Sequence, residues 1–520
     1  MSLSRRRLLT GALALGAASA AAPFIRRAGA QLTFTGSPFT LGVASGYPLP
    51  TGVVLWTRLA PVPLQPGGGM PPEVVAVEWE VATDERMGQV VRRGIAAATP
   101  QWAHAVHVEV DGLEPARWYW YRFRAGREVS PIGRTRTAPA ATAAVERFRF
   151  AYASCQQYEQ GYYGAHHRML ADDLDLVVFL GDYIYESSWG SDHVRTHGAP
   201  EPHTLDDYRV RHALYKTDPD LQAAHAAYPW IVTWDDHEVE NDYADDRSEH
   251  GHPREWFLAR RAAAYQAYYE HMPLPARMQP RGPDMRIYTQ VGWGSLGRFY
   301  MLDDRQYRSW QACVRRNRRG GSNTLDVERC DALADPQRTM LGLAQERWLE
   351  GALSGSRSQW NILAQQTLMA RFDQKPGPGR NAWTDGWDGY PVARQRLLNH
   401  LELQKIANPV VIGGDVHCFE VADLKLDFDD PSSRTVASEF VTSSITSQAW
   451  PQERLDKFLP DNPHLKRVDS RYRGYARVEV TAKSMRVEQR AMDSVQSREA
   501  ACSSLTTFVV EEGRPGALQA

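Results

Sequence analysis

The sequence predicts a layered α/β domain preceded by a small all-β domain of fibronectin or immunoglobulin type. Three observations carry this reading. From about Phe34 to Thr137, short β segments are broken by Gly and Pro. After the small, Ala-rich stretch from Pro139 to Val145, the pattern changes to apolar strands that stop at polar residues, with helical segments between them. Finally, 520 residues suffice for one large core and a companion, since compact domains run to roughly 100–200 residues.

The first thirty residues read as an address. Ser4-Arg5-Arg6-Arg7-Leu8-Leu9-Thr10 leads into an apolar, Ala-rich run from Leu8 to Phe24, and Ala28-Gly29-Ala30 offers small residues for cleavage. Paired Arg before a mild apolar stretch resembles a twin-arginine export signal over residues 1–30. That makes the twin-arginine export machinery an expected partner and the location periplasmic or extracellular. The run falls short of the roughly 20 strongly apolar residues that span a membrane, so no stable membrane anchor is expected.

Within 32–138, the β elements are Val53–Trp56, the alternating stretch Val75–Val81, Val106–Val110 and Trp118–Phe123. Leu113 and Pro115 ahead of Tyr119, Tyr121 and Phe123 resemble the strand entry of fibronectin-type sandwiches, where a Tyr bonds back to the preceding corner. Within 145–510, strands are expected at Phe148–Ala153, Leu176–Leu180, Trp230–Trp234, Phe299–Leu302, Trp360–Leu363 and Val410–Ile412. Helices are expected at Arg254–His271 and Gln337–Ser354, with a closing hairpin around Tyr475–Glu488.

Composition narrows the function. A hydrophobic share of 43% and a charged share of 23% are ordinary for a folded protein and disfavour disorder. The net charge is −2, and because residues 1–30 hold five Arg and no acid, the chain without them carries −7. This argues against a dedicated nucleic-acid partner held by general electrostatics. The basic run Arg315–Gly321 reads first as solvated surface, with substrate steering as the alternative. Of the five Cys, at 155, 313, 330, 418 and 502, Cys313 and Cys330 are placed to close a loop in an oxidising compartment.

The chemistry gathers where strands end. Ser154-Cys155-Gln156 follows the first strand, GDYIYE at 181–186 the second, Asp235-Asp236-His237-Glu238 the third, and GGDVH at 413–417 a strand near the C-terminal end. Loops at the carboxyl ends of strands are where ligands usually collect in open α/β sheets. Each motif has a bland reading: Asp182 as a helix cap, Asp235-Asp236 as a solvated turn, Cys155 as a buried small hydrophobe. Four such ends in one domain make coincidence the weaker account.

In this order, Cys155, GDYIYE, WDDHEVEND at 234–242 and GGDVH resemble the alkaline phosphatase D family, distant kin of calcineurin-like metallophosphoesterases and purple acid phosphatases. LDDRQYRS at 302–309, WNILAQQT at 360–367 and DGWDGYP at 385–391 match as well. The resemblance covers nearly the whole chain, leader and β domain included. It implies a metallophosphoesterase-type layered sandwich and hydrolysis of phosphate-ester small molecules by a mixed cluster of ferric ion and calcium.

Carried over by motif, the resemblance makes Asp182 the bridging ligand and Tyr185, Cys155 and His417 iron ligands. Asp415 suits oxygen-loving calcium, and Asp236 stands where relatives carry an Asn ligand, with adjacent Asp235 an open alternative. Asn241 is a weaker donor on the calcium side. His237 would face the phosphate. Arg305 is either a phosphate contact or a surface salt-bridge partner, and Trp387 and Tyr390 either shape the entrance or pack against the sheet. A phosphodiesterase or phospholipase D-like enzyme would show the same motifs. An extracellular binding protein with a structural metal site is the alternative from another class.

Overall fold

The computed structural model describes residues 34–315 and 317–520, so the export-signal reading of residues 1–30 lies outside the described residues. A ten-stranded sheet runs in the order Arg514–Gln519, Cys502–Glu511, Ser484–Met492, Arg473–Thr481, Arg147–Ala153, Leu176–Leu180, Pro229–Thr233, Val43–Leu49, Gly52–Arg58, Ala105–Val110. Its centre is parallel: Arg147–Ala153, Leu176–Leu180 and Pro229–Thr233 all point their carboxyl ends the same way. A seven-stranded sheet runs Thr289–Trp293, Gly297–Met301, Trp360–Ala364, Pro409–Gly413, Thr435–Val441, Phe419–Lys425, Leu465–Asp469.

The two sheets pack face to face through aromatic contacts. Phe148 stacks on Trp293 at 4.6 Å between ring centroids, Phe150 meets Phe299 edge-on at 5.0 Å, and Tyr152 Oη donates to Phe440 O. The period-2 alternation of a strand buried on both faces explains the sequence of the second sheet. Phe299, Met301, Ile362, Val410 and Ile412 join the core between the sheets, while Tyr300, Leu363 and Val411 join a second core with Leu349, Leu353, Leu398 and Leu401 of helices Leu343–Ser354 and Pro391–Leu403. Helices Leu205–Lys216, Pro219–Ala227 and Arg254–His271 cover the first sheet, with Tyr265 stacked on Trp234 at 4.1 Å.

The expected strands and the helix Arg254–His271 are present. The helix expected from Gln337 starts only at Leu343. Gly342 has φ +74°, and a Cβ there would lie 2.6 Å from Tyr307 Cβ; residues 337–342 form a turn and bends ahead of the helix, with the Ser309 N–H donating to Thr339 O.

The N-terminal strands are shared rather than separate. Val43–Leu49 pairs in parallel with Pro229–Thr233 and thereby extends the large sheet, while Val90–Ala98, Val75–Ala82, Trp118–Ala125, Glu128–Val129 and Gly133–Arg136 form a second, five-stranded sheet. Val53, Leu55, Val77, Val106, Val108, Tyr121 and Phe123 fill the space between them. The expected corner is present, since Tyr119 Oη accepts the Glu114 backbone N–H at 2.8 Å.

Cys313 and Cys330 form a disulfide that closes a loop over a sequence separation of 17. The strand Thr324–Asp326 inside that loop pairs with Asn381–Trp383, and Arg318 pairs with Glu249 at 2.7 Å. Further ties run from the Ser322 N–H to Asp242 and between Asn323 and Thr384, so the disulfide is one fastening among several and the described residues of the stretch 314–319 are the least held. Reduction should therefore speed trypsin cleavage within residues 314–319, as followed by mass spectrometry. The Cys313→Ser/Cys330→Ser variant should lose on the order of 2–4 kcal/mol of the loop's local stability, measured by hydrogen exchange of residues 324–326.

Candidate metal centre

The loops after the parallel strands converge at one end of the sandwich. Gly181 makes the approach possible: its φ is +102°, and a Cβ there would lie 2.4 Å from Asp235 Cβ. Cys155, Asp182, Asp415 and His417 themselves hold left-handed backbones, with φ of 59°, 55°, 65° and 57°. Each such residue costs of order 1–3 kcal/mol, and clusters of them mark functional sites.

Three clusters of ligand atoms result, each with its atoms within 4.8 Å of one another: Cys155, Asp182 and His417; Asp182, Asp236 and His237; and Asp236, Asp242 and Asp385. Asp182 belongs to the first two, as a bridging residue must. Tyr185 joins the first, its Oη donating to Asp182 Oδ2 at 2.8 Å and lying 3.1 Å from His417 Nε2. His417 Nδ1 stands 2.7 Å from Gln448 O, which can only accept, so Nδ1 carries the hydrogen and Nε2 turns a lone pair to the cluster. Asp236, rather than Asp235, enters the clusters. Asn241 lines the same pocket with its amide donating to Glu249 at 2.7 Å.

Arg305 departs from the surface salt-bridge expectation. It is buried, and its guanidinium is engaged by Asp235 and Asp385, with Asp236 at 3.7 Å and Asp415 at 3.9 Å. Its charged partners are carboxylates, and it is not among the residues that line the pocket. The residues near it divide as well: Trp387 lines the pocket, its Nε1 bonded to Gln365, whereas Tyr390 packs inward with its Oη on Ser309 O.

Sequence reasoning missed Glu186, Glu238, Asp242 and Asp385, although all four lie in the quoted motifs. Glu238 accepts from the backbone N–H groups of Asp182, Tyr183 and Asp235 and so pins two ligand loops together. Glu186 Oε2 lies 2.6 Å from His237 Nδ1. Burial opposes a charge on His237, but Glu186, Asp236 and Asp182 outweigh it and hold the imidazolium well above the usual histidine range.

The carboxylates show what the site lacks. Burial pushes Asp415 up to about 6, Glu238 to about 7 and Asp242 to about 8. Asp182 is also raised, by burial first, against the lowering effect of His237 and with Asp236, Glu238 and Asp415 adding to the rise. Asp182 Oδ1, Asp235 Oδ2, Asp304 Oδ1 and Asp415 Oδ2 are buried without a hydrogen-bond partner. Unpartnered anionic oxygens of this kind are costly unless they are protonated or meet a cation. The donor set fits metal ions: sulfur, phenol and imidazole on one side of Asp182, and oxygens on the other.

Comparison with known proteins agrees with this geometry. The profile of the PhoD-like phosphatase family matches residues 150–489, and that of the family's N-terminal domain matches residues 25–139. Alkaline phosphatase D of Bacillus subtilis (strain 168) is 46% identical over 98% of this chain and 88% of the relative. A solved structure described as that of PhoD superposes with a TM-score of 0.89 at 47% identity, covering 94% of this chain and 93% of the other. The protein is thus an enzyme of the phosphatase class, which sets aside the reading as a binding protein. The chain belongs to the PhoD-like phosphatase family.

The raised carboxyls predict an unusual pH dependence of the metal-stripped protein. A folded pKa above the unfolded value contributes stability that is full below about pH 4, the unfolded value, and is lost as pH rises through the folded one. For Asp415, Glu238 and Asp242 that window runs from about 6 to about 8. Stripped protein should therefore melt at a lower temperature at pH 8.5 than at pH 5. Divalent cation should raise the melting temperature most at the alkaline end. A melting temperature of the stripped protein that rose over this range would contradict the assignment.

Proposed function

We propose that the chain is an exported, metal-dependent phosphatase that hydrolyses phosphate monoesters, and diesters, with one ferric ion and calcium. Cys155, Asp182, Tyr185 and His417 would hold the iron, since thiolate, phenolate and carboxylate are strong anionic donors suited to the higher oxidation state. Asp236 and Asp415 would hold calcium together with Asp182, and Asn241 would be a further oxygen donor. The observation that carries this reading is Asp182, which is shared between the cluster with Cys155 and His417 and the cluster with Asp236 and His237. When bound, the ions would neutralise phosphoryl oxygens and acidify water.

The protein's own groups would supply the rest. Glu186 holds His237 by Nδ1 and thereby fixes the ring, so Nε2 is free to stabilise a phosphoryl oxygen or to give a proton to the departing alkoxide. Arg305 would keep Asp235 and Asp385 ionised and in place behind the ligands.

Two structural readings belong with this proposal: residues 32–138 as a fibronectin-like sandwich, and residues 145–510 as a metallophosphoesterase-type sandwich. Export through the twin-arginine machinery to the periplasm or beyond rests on the leader sequence. Among the described residues, no helix is long and apolar enough to cross a membrane. A second reading, phosphodiesterase or phospholipase D-like action, is favoured by the pocket at the metal centre, whose volume of about 740 Å³ leaves room for a second ester group.

Hydrolysis of a phosphomonoester and a matched diester by metal-loaded protein, with and without a calcium chelator, tests the proposal. Chelator-sensitive turnover is expected, and the better substrate decides between the two readings. His237→Ala should keep its metal content and lose about 10²–10⁴ in turnover. Asp182→Ala should lose both metals by elemental analysis, and Tyr185→Phe should lose any visible phenolate-to-iron absorption.

A further inference from the structure

The pocket that opens from the metal centre has two kinds of wall. Leu368, Phe372, Trp383, Trp387, Trp450 and Leu455 form an apolar wall continuous with Asp236, His237, Asp415 and His417. This wall is preformed. Phe372 packs edge-on against Phe458 at 5.9 Å with its backbone N–H on Asp388, and Trp387 is fully buried with its indole N–H on Gln365. The lining beyond the ligands also holds the acids Glu201, Glu249, Asp388 and Glu420, beside neutral residues such as Gln374, Gln448 and Ser470 and the imidazole of His250, and among the described residues it holds no Arg or Lys.

The basic partners of these acids do not line the pocket among the described residues. Arg260 pairs with Glu201, Arg318 with Glu249 and Arg394 with Asp388, each at 2.6–2.7 Å, and Arg454 stacks on Trp450. Carboxylates therefore front the pocket, while the guanidinium groups paired directly with three of them are not part of its lining. Glu420 has only the Cys418 thiol as a partner, and its second oxygen is unpartnered. Phosphate-reading pockets ordinarily present Arg or Lys forks to extra phosphates or carboxylates; here only the phosphoryl group at the cation site would find compensation.

We propose that this pocket selects the alcohol half of the substrate by charge and apolarity: it accepts phosphoesters of alcohols with an apolar, neutral or cationic face and rejects those that carry a further anion. Phe372 and Trp383 supply the apolar contact, and Glu201 and Glu249 supply the rejection. A cationic alcohol gains twice, from the carboxylates and from the half-buried indole of Trp383. The inference rests on the phosphatase reading of the metal centre.

Phenyl phosphates with a para aminoethyl, ethyl or carboxyethyl chain share nearly the same leaving-group acidity and differ in charge. With metal-loaded full-length enzyme, kcat/KM for the cationic and neutral esters should exceed that for the anionic ester by about tenfold, the effect of one unit charge facing like charge across a pocket of intermediate dielectric. The ratio should shrink at 1 M salt, where screening acts within about 3 Å. Glu201→Gln and Glu249→Gln should each lower the ratio, because Gln keeps the shape and removes the charge. Nucleoside triphosphates should be poorer substrates than their monophosphates. A ratio near one, or preference for the anionic ester, would overturn the selectivity while leaving the metal centre standing. No turnover of any of the three esters would instead overturn the phosphatase reading on which it rests.

Discussion

The structure is organised around one electrostatic problem: many carboxylates are buried within one site at the end of a β-sandwich. Asp182, Asp235, Asp236 and Asp385 are drawn out of water and Asp415 is partly so, and a buried charge without a partner is among the most expensive features a fold can carry. The protein supplies three fixed cations. Arg305 lies against four of these acids, Arg308 pairs with Asp385 at 2.6 Å, and His237, held charged by Glu186, faces Asp182 and Asp236. Three cations do not match five acids and the oxygens left without donors. The remaining charge is the thermodynamic pull that the site exerts on metal ions.

Holding those acids together requires backbone shapes that ordinary residues avoid. Left-handed conformations at Cys155, Asp182, Asp415 and His417 turn the chain after three of the strands, Arg147–Ala153, Leu176–Leu180 and Pro409–Gly413. Gly181 and Gly414 permit the loops to touch, since a Cβ at Gly414 would stand 2.3 Å from Ser154 Oγ. Glu238 then fastens three backbone N–H groups from two loops with one carboxylate. The strain is local, and the sandwich beneath it, packed through Phe148, Phe150, Trp293 and Phe299, is what can sustain it.

Much of this was legible because it is local. Apolar runs such as Leu176–Leu180 ended in the sequence where they end in the structure, and the motif order placed the candidate ligands on successive strand ends. What was illegible depended on distant partners. Arg305 looks like any Arg in a polar run until the fold carries Asp235 and Asp385 to it. Glu186 is an unremarkable last residue of its motif until His237 arrives from 51 positions away. The strands Thr435–Val441 and Phe419–Lys425 carry Ser, Glu and Asp, so period-2 burial was hidden; Glu439, for example, is buried because the Met369 and Ala370 N–H groups meet it.

The sharing of one sheet between the two halves of the chain has a mechanical consequence for the site. The strand Pro229–Thr233, which delivers Asp236 and His237, would be an edge strand if the large sheet ended with it. Pairing with Val43–Leu49 makes it internal, and Tyr47 Oη fastens to Val232 O at 2.8 Å. The same N-terminal strands reach the helix Arg254–His271, where Trp56 donates to Glu270 O and Arg58 meets His271. That helix stacks Tyr265 on Trp234, the residue next to Asp235. The N-terminal strands therefore brace the ligand loop on two sides, through the sheet and through the helix, at the point where like charges most strongly push it apart.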